Sequence, residues 1–343
     1  MRVLYWMPRD GKVPGGHIIQ ITKTADYVAR QGLDSEVSFE ANLPSNSYDI
    51  VHGFGLKSSD VRLAKQTGAK VVQSTIYWDK SYDCYSDIRN PQYALQHGMR
   101  TTRRLLGKMK RMLLKQSIMT QAELELRDTL LQLDAILPNS DLESEAIKRD
   151  LGITVPSYVV PNAVDVDIFY NKQSQRIPSV LCCGRIEPHK NQLGLIFALQ
   201  NTNIPLTIAG MPHPDHPTYM AKVKSKCVGN IQYAGGFNQS GLVDLYNRHS
   251  VHIIPSWFET TGLVTLEASL CGCNVVSTAR GYAHEYFGPM AEYCEPASIS
   301  SIRESIIRSL NKVPDQALAQ KIKSNYSWDA TAGATIACYR DLC

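Results

Sequence analysis

No run of this chain approaches the ~20 consecutive apolar residues that a membrane-spanning helix needs. The opening Met1-Arg2-Val3-Leu4-Tyr5-Trp6-Met7 is broken by Pro8-Arg9-Asp10 before it reaches signal-peptide length. A reducing, cytoplasmic setting is therefore expected. The nine cysteines include no two CxxC pairs at zinc spacing. Cys182-Cys183 lie in an apolar run and Cys271 and Cys273 flank a glycine, so they read as small buried hydrophobes, with Cys343 exposed at the terminus. The fingerprint G-x-G-x-x-G is missing after both residues 3–7 and residues 179–183, which argues against an oxidoreductase. Low-complexity tracts and solenoid repeats are absent too. Charge of either sign is scarce in excess: 36 Lys+Arg against 32 Asp+Glu leave +4, short of the basic stripe of a nucleic-acid binder.

What is present is a rhythm. At 343 residues, 43% of them apolar, the chain is long enough for two domains that each bury a core. Short β-like runs alternate with helical patterns, the mark of parallel α/β layers. In the first half the strands are expected at 3–7, 36–39, 50–52, 70–74, 135–137 and 158–160. Between the first two, Ile18, Ile21, Ala25 and Val28 recur at helical spacing and Gly32 follows as a stop. In the second half strands are expected at 179–183, 205–209, 231–233, 251–254, 274–277 and 292–294, with helices at 192–199, 241–248, 263–271 and 299–310. The pattern lapses over 171–176, and a last helix at 328–342 has no strand after it. Two doubly wound domains, spanning 1–168 and 169–326, with a terminal helix over 327–343, fit better than one long sheet.

Two loops carry candidate chemistry. Gly184-Arg185-Ile186-Glu187-Pro188-His189-Lys190 follows a strand directly, and ligands in such sheets bind beyond the carboxyl ends of strands. Arg185 offers a fork for phosphate oxygens and Lys190 a point charge; a solvated basic surface is the plainer reading of that pair taken alone. The second loop runs from Pro255 through Glu259 to Gly262 and opens a helix that carries Glu267. The N–H groups at Thr261, Gly262 and Leu263, at the helix start, would form an anion site helped by the helix dipole, and Gly262 removes a side chain that would hold a phosphate off. Two acids beside a phosphate cradle would repel the phosphate itself. They suit hydroxyl groups on either side of it, those of a ribose and those of a sugar.

Glu259 and Glu267, with seven residues between them, resemble the Glu-x7-Glu motif of family 4 retaining glycosyltransferases, the group 1 glycosyl transferases with the GT-B fold. Gly184-Arg185 with Lys190 is similar to that family's donor-phosphate pair. Leu206 to Gly210, Tyr233 to Phe237, Ala279 to Tyr282 with Glu285, and Val160 to Asp165 with Phe169 extend the likeness, with Ala163 standing where the family has glycine. The resemblance covers roughly residues 135–343 well. It implies an α/β GT-B architecture: two Rossmann-like domains facing each other across a cleft, with a C-terminal helix crossing back to the N-terminal, acceptor-side domain. Arg185 and Lys190 would hold the diphosphate of a UDP- or GDP-sugar, Glu267 would accept from the ribose and Glu259 from the transferred sugar. Transfer would retain configuration, with no metal and no cofactor beyond the sugar nucleotide. Alanine at Glu259 or Lys190 is expected to abolish transfer while leaving the melt nearly unchanged.

The first half matches less closely. Gly15 and Gly16, after Pro14, resemble the family's glycine pair at the first helix start. The family's histidine after the fourth strand is missing from Val71 to Asp79. Thr75 or Tyr77 could take its contact, and His52 or His17 could reach in from adjacent loops, although each histidine also reads as structural. From Arg100 to Lys115 seven basic residues meet no acid, while Leu105, Leu106, Met109, Met112 and Leu113 share one helical face. Such a helix suits either peripheral contact with an anionic membrane, fitting a lipid-linked acceptor, or packing on the first sheet. The alternatives to transfer are a catalytically silent GT-B protein that binds a sugar nucleotide, and a GT-B sugar-nucleotide epimerase.

Overall fold

A computed structural model describes residues 1–8, 16–78, 119–314 and 316–343. The described chain forms two compact α/β units. Among the described residues, one takes Met1–Tyr77, 119–164 and Ser324–Cys343, and the other takes Trp78 and Asp165–Lys323. Gly15 and the segment from Arg100 to Lys115 lie outside the described residues, as does the side chain of His17.

The first unit is a five-stranded parallel sheet of β1 (Arg2–Trp6), β2 (Asp34–Ser38), β3 (Ile50–Phe54), β4 (Lys70–Ser74) and β5 (Ala135–Leu137), in the order β2-β1-β3-β4-β5. Side chains alternate across a strand, and here both faces are apolar. Val3 and Tyr5 pack under the helix Gly16–Arg30 through Ile21 and Val28, and under the terminal helix Trp328–Leu342 through Ile336. Leu4 and Trp6 point the other way, to Val61, Leu130 and Ile147 of the helices Ser58–Gln66, Gln121–Leu130 and Asp141–Leu151. Each such fully buried side chain contributes about 1.5–3 kcal/mol. Ser327 caps the terminal helix by accepting from the Ala330 N–H at 3.3 Å. Gln31 donates to the Asp329 carbonyl at 3.0 Å, so the last helix lies beside the first within this unit.

Residues 158–160 are not a strand. Tyr158 and Val160 do donate to the Ile136 and Pro138 carbonyls at 3.0 and 2.8 Å. Pro156 and Pro161 bracket the segment, and proline has no N–H with which to extend a ladder.

The second unit is a six-stranded parallel sheet of β6 (Ile177–Cys183), β7 (Leu206–Ala209), β8 (Ile231–Gly235), β9 (His249–Ile253), β10 (Asn274–Thr278) and β11 (Glu292–Cys294), in the order β11-β10-β9-β6-β7-β8. Counted within the unit from β8, this is the 3-2-1-4-5-6 order of a Rossmann sheet. Val180, Ile208 and Ile253 form its core with Ile196 of the helix Gln192–Leu199 and Ile306 of the helix Ile299–Leu310. The lapse at 171–176 is held shut by Arg176, whose guanidinium donates to the carbonyls of Tyr246 (2.7 Å), His249 (2.8 Å) and Cys271.

Candidate functional site

The chain leaves β6 towards β7 and β8 on one side, then returns to lay β9 against the other side of β6. That reversal is the topological switch point, where two loops diverge and leave a crevice beyond the strand ends. The loop after β6 carries Arg185, His189 and Lys190. The loop after β9 carries Ser256, Glu259 and Gly262. The motifs singled out by their chemistry are thus neighbours in space because strand order makes them so.

Lys190 Nζ lies 2.6 Å from Glu259 Oε1, with the carboxylate side chain only 8% exposed. Ser256 Oγ donates to the same oxygen at 2.5 Å. Burial pushes the Glu259 carboxyl up, but the Lys190 charge and the hydrogen bonds from Lys190 and Ser256 outweigh it and hold the group below the usual carboxylate range. Arg185 is more open, at 43% side-chain exposure, with Nε 3.5 Å from Glu187 Oε1. Its carbonyl accepts from Gln192 at 2.9 Å, which pins the backbone beneath it. Gly281 approaches so closely that a Cβ there would stand 2.1 Å from the Glu259 carbonyl oxygen, and its φ is +102°. Tyr282 N donates to that same carbonyl at 2.8 Å. Only glycine allows this contact, and it fixes the backbone that carries the carboxylate.

The helix Leu263–Leu270 starts from Gly262, which has φ +81°. Its first bonds are those from Thr265 and Leu266 to the Gly262 carbonyl. The N–H groups of Leu263 and Val264 come before them and have no helical carbonyl to receive them. Within this helix Glu267 accepts from the buried Tyr246 hydroxyl at 2.9 Å. Burial pushes the Glu267 carboxyl up to about 7, against the opposing pull of that hydrogen bond. The two acids of the motif are therefore set apart: Glu259 is held as a carboxylate beside a cation, while Glu267 is poised to gain or lose a proton near neutrality.

In the first unit Gly16 is the first residue of its helix. His52 does not reach a loop. It is fully buried within β3, with Nδ1 2.6 Å from the Tyr339 hydroxyl and Nε2 2.8 Å from Ser74 Oγ. Burial pulls its pKa down to about 3, so the ring is neutral. A sheet covered on both faces leaves an inward side chain of β3 no route to solvent. Thr75 donates to Glu143 Oε1 at 2.9 Å and the Tyr77 hydroxyl to Asp150 at 3.2 Å, so both turn towards the helix Asp141–Leu151. Asp165 accepts from the N–H groups of Asp167 and Ile168 at 3.2 Å and closes its own turn.

Sequence reasoning assigned no role to Ser256 or His189, and read Tyr246 only as part of a stretch similar to the family's segment beside the base. Ser256 carried a faint signal in its three-residue spacing from Glu259. The contacts of Tyr246 and His189 had none, because their partners come from other elements.

Residues 167–326 match the family model described as "Glycosyl transferases group 1". The O-antigen chain mannosyltransferase B of Escherichia coli is 28% identical over 175 residues, 47% of this chain and 45% of that protein. The glycogen synthase of Mycobacterium tuberculosis is 26% identical over 173 residues, 47% of this chain and 42% of that one. The chain thus matches about half the length of these curated relatives. Among solved structures, the sucrose-phosphate synthase of Thermosynechococcus elongatus aligns with a TM-score of 0.75 at 14% identity, over 100% of this chain and 99% of that one. HepE of Anabaena, solved in complex with UDP, aligns with a TM-score of 0.73 at 15% identity, over 99% and 100%. Those identities speak for the fold, which is GT-B. Over residues 167–326 this chain carries the signature of the group 1 glycosyl transferases, the family its motifs resemble.

Proposed function

We propose that this chain is a glycosyltransferase that takes a hexose from a UDP- or GDP-sugar and passes it, with retention of configuration, to a glycan, lipid-linked or small-molecule acceptor. The observation that carries the reading is the pairing of Lys190 with Glu259 at a Rossmann switch point, next to an open helix start. The diphosphate would take Lys190, Arg185 and the N–H groups at Leu263. Glu259, relieved of part of its ion pair, would accept from hydroxyls of the transferred sugar, and Glu267 from those of the ribose. When the bond from the anomeric carbon to the phosphate oxygen breaks, the electron pair leaves with the nucleotide diphosphate. Arg185 and Lys190 then neutralise the growing charge without a metal. HepE of Anabaena, similar in fold, was solved with UDP-glucose, which favours testing a uridine donor first.

The acceptor side is assigned to the first unit. A cavity of about 460 Å³ opens there at the carboxyl ends of β1, β3 and β4, lined among others by Met7, Phe54, Ser74 and Tyr77. Calorimetric titration with UDP and GDP, followed by a screen of nucleotide sugars for hydrolysis, tests the reading. Nucleotide binding with no turnover of any donor on any acceptor would favour the silent binding protein. A new sugar nucleotide without loss of nucleotide would favour the epimerase.

A further inference from the structure

The two loops of the site are zipped residue to residue. Trp257 N donates to the His189 carbonyl at 3.0 Å. His189 Nε2 lies 2.8 Å from the Phe258 carbonyl, and Lys190 Nζ lies 2.6 Å from Glu259 Oε1. Three successive residues of one loop are thus gripped by two successive residues of the other. A carbonyl only accepts, so Nε2 must carry the ring proton. Burial and the neighbouring Lys190 charge lower the pKa of His189 and keep the ring neutral. Nδ1 is then a bare lone pair. It is buried, and among the described residues it has no partner. An orphaned buried acceptor is unfavourable, so some other contact must hold the ring in this pose. Two contacts do so: the bond to Phe258, one residue before the acid of the site, and the Trp78 ring, whose centroid lies 4.5 Å from that of His189.

We infer that His189 is a positioning residue for Glu259. Its Nε2–H holds the Phe258 carbonyl and thereby keeps the Glu259 carboxylate in register when Lys190 turns to the diphosphate. Without the donor binding, Lys190 anchors that carboxylate directly. Once the cation is shared with phosphate, the bond from the His189 ring to Phe258 remains from this loop as a side-chain restraint, beside the backbone bond from Trp257 N to the His189 carbonyl. Deprived of it, Glu259 would keep its charge but lose its aim at the sugar hydroxyls. The role of Glu259 in sugar recognition rests on the function proposed above; the grip itself does not.

Two variants separate the hydrogen bond from the bulk. His189→Leu fills the space with no donor, and His189→Gln restores an N–H at similar reach. Amide hydrogen exchange of the ligand-free protein over residues 255–262 should speed up about tenfold in His189→Leu and return towards wild type in His189→Gln. With UDP-glucose or GDP-mannose, whichever the wild type hydrolyses, kcat should fall at least about tenfold in His189→Leu while KM and UDP affinity stay within about threefold. His189→Gln should recover most of that rate. Unchanged exchange in His189→Leu, or a glutamine variant as impaired as the leucine one, overturns the inference. A parallel loss of UDP affinity would also overturn it, since it would mean the whole cradle had loosened. If the wild type hydrolyses neither donor, the proposed function suffers, and the exchange measurement still decides the grip.

Discussion

The Tyr246 hydroxyl donates a hydrogen bond to Glu267 Oε2 across 2.9 Å, and the carboxyl that accepts it is pushed up to about 7 by burial. The second acid of the motif therefore changes charge within the physiological range, and this has opposite consequences for stability and for binding.

For stability, the folded state holds the Glu267 proton more tightly than the unfolded chain does. Its contribution is greatest below the ordinary value of 4.5 and falls away as pH rises through about 7. The loss over that window is at most roughly 3 kcal/mol. Wild-type protein should show a melting temperature that declines from pH 5 to pH 7.5 more steeply than that of Glu267→Gln. Parallel pH profiles would refute the assignment. For binding, a carboxylate accepts from two ribose hydroxyls where a carboxylic acid does not. UDP affinity measured by calorimetry should rise over the same window in the wild type and stay flat in Glu267→Gln.

The Lys190–Glu259 pair changes what alanine substitution does. From sequence alone the melt is expected to survive Glu259→Ala. In the structure that change strands a partly buried ammonium and removes the acceptor of Ser256. Breaking one side of a buried pair costs about 3–5 kcal/mol. We expect a clear drop in melting temperature for Glu259→Ala and for Lys190→Ala. The double variant Lys190→Met with Glu259→Gln should recover much of the stability and none of the transfer. A double-mutant cycle of chemical denaturation gives the coupling, and additive losses would argue against the pairing.

Gly281 makes a sharper case, because it touches no ligand in the proposed scheme. Alanine there would force a methyl to 2.1 Å from the Glu259 carbonyl at a φ of +102°. Either the loop after β10 moves or Glu259 does. Gly281→Ala should lose more than about 1 kcal/mol of stability, and kcat should fall while UDP affinity holds. Wild-type turnover in a folded Gly281→Ala protein would show that the contact does not set the site.

Much of this was legible in the sequence, for physical reasons. Parallel strands buried on both faces are near-continuous apolar runs, so the strand expected at 205–209 is found at Leu206–Ala209, buried throughout. Arg185, Lys190 and Glu259 stand beyond strand ends, where polar residues have few structural uses, and Glu267 lies one turn into the helix that follows. What stayed hidden depends on pairing across elements. Sequence spacing could not show that Tyr246 would meet Glu267, because that contact needs the helices before and after β9 packed together, or that His189 would meet Phe258, because that one needs β6 and β9 side by side. His52 misled for the opposite reason: a histidine invites a functional reading, and only the covered sheet reveals that its partners are Ser74 and Tyr339.

That buried chain yields the last prediction. Tyr339, from the terminal helix, donates to the Tyr5 hydroxyl at 3.0 Å and receives the Nδ1–H of His52 at 2.6 Å. His52 Nε2 in turn accepts from Ser74 Oγ. The helix Trp328–Leu342 is thus tied to β1, β3 and β4 by hydrogen bonds as well as by Ile336 and Ala332 in the core. Tyr339→Phe keeps the ring and removes the oxygen, leaving the His52 Nδ1–H buried without an acceptor. Such a loss costs about 1–3 kcal/mol. It should appear as a lower denaturant midpoint with an unchanged slope, since the surface exposed on unfolding is the same. His52→Leu with Tyr339→Phe replaces both partners by apolar groups and should recover part of that loss. If Tyr339→Phe melts like wild type, the chain of hydrogen bonds adds nothing and apolar packing alone holds the helix.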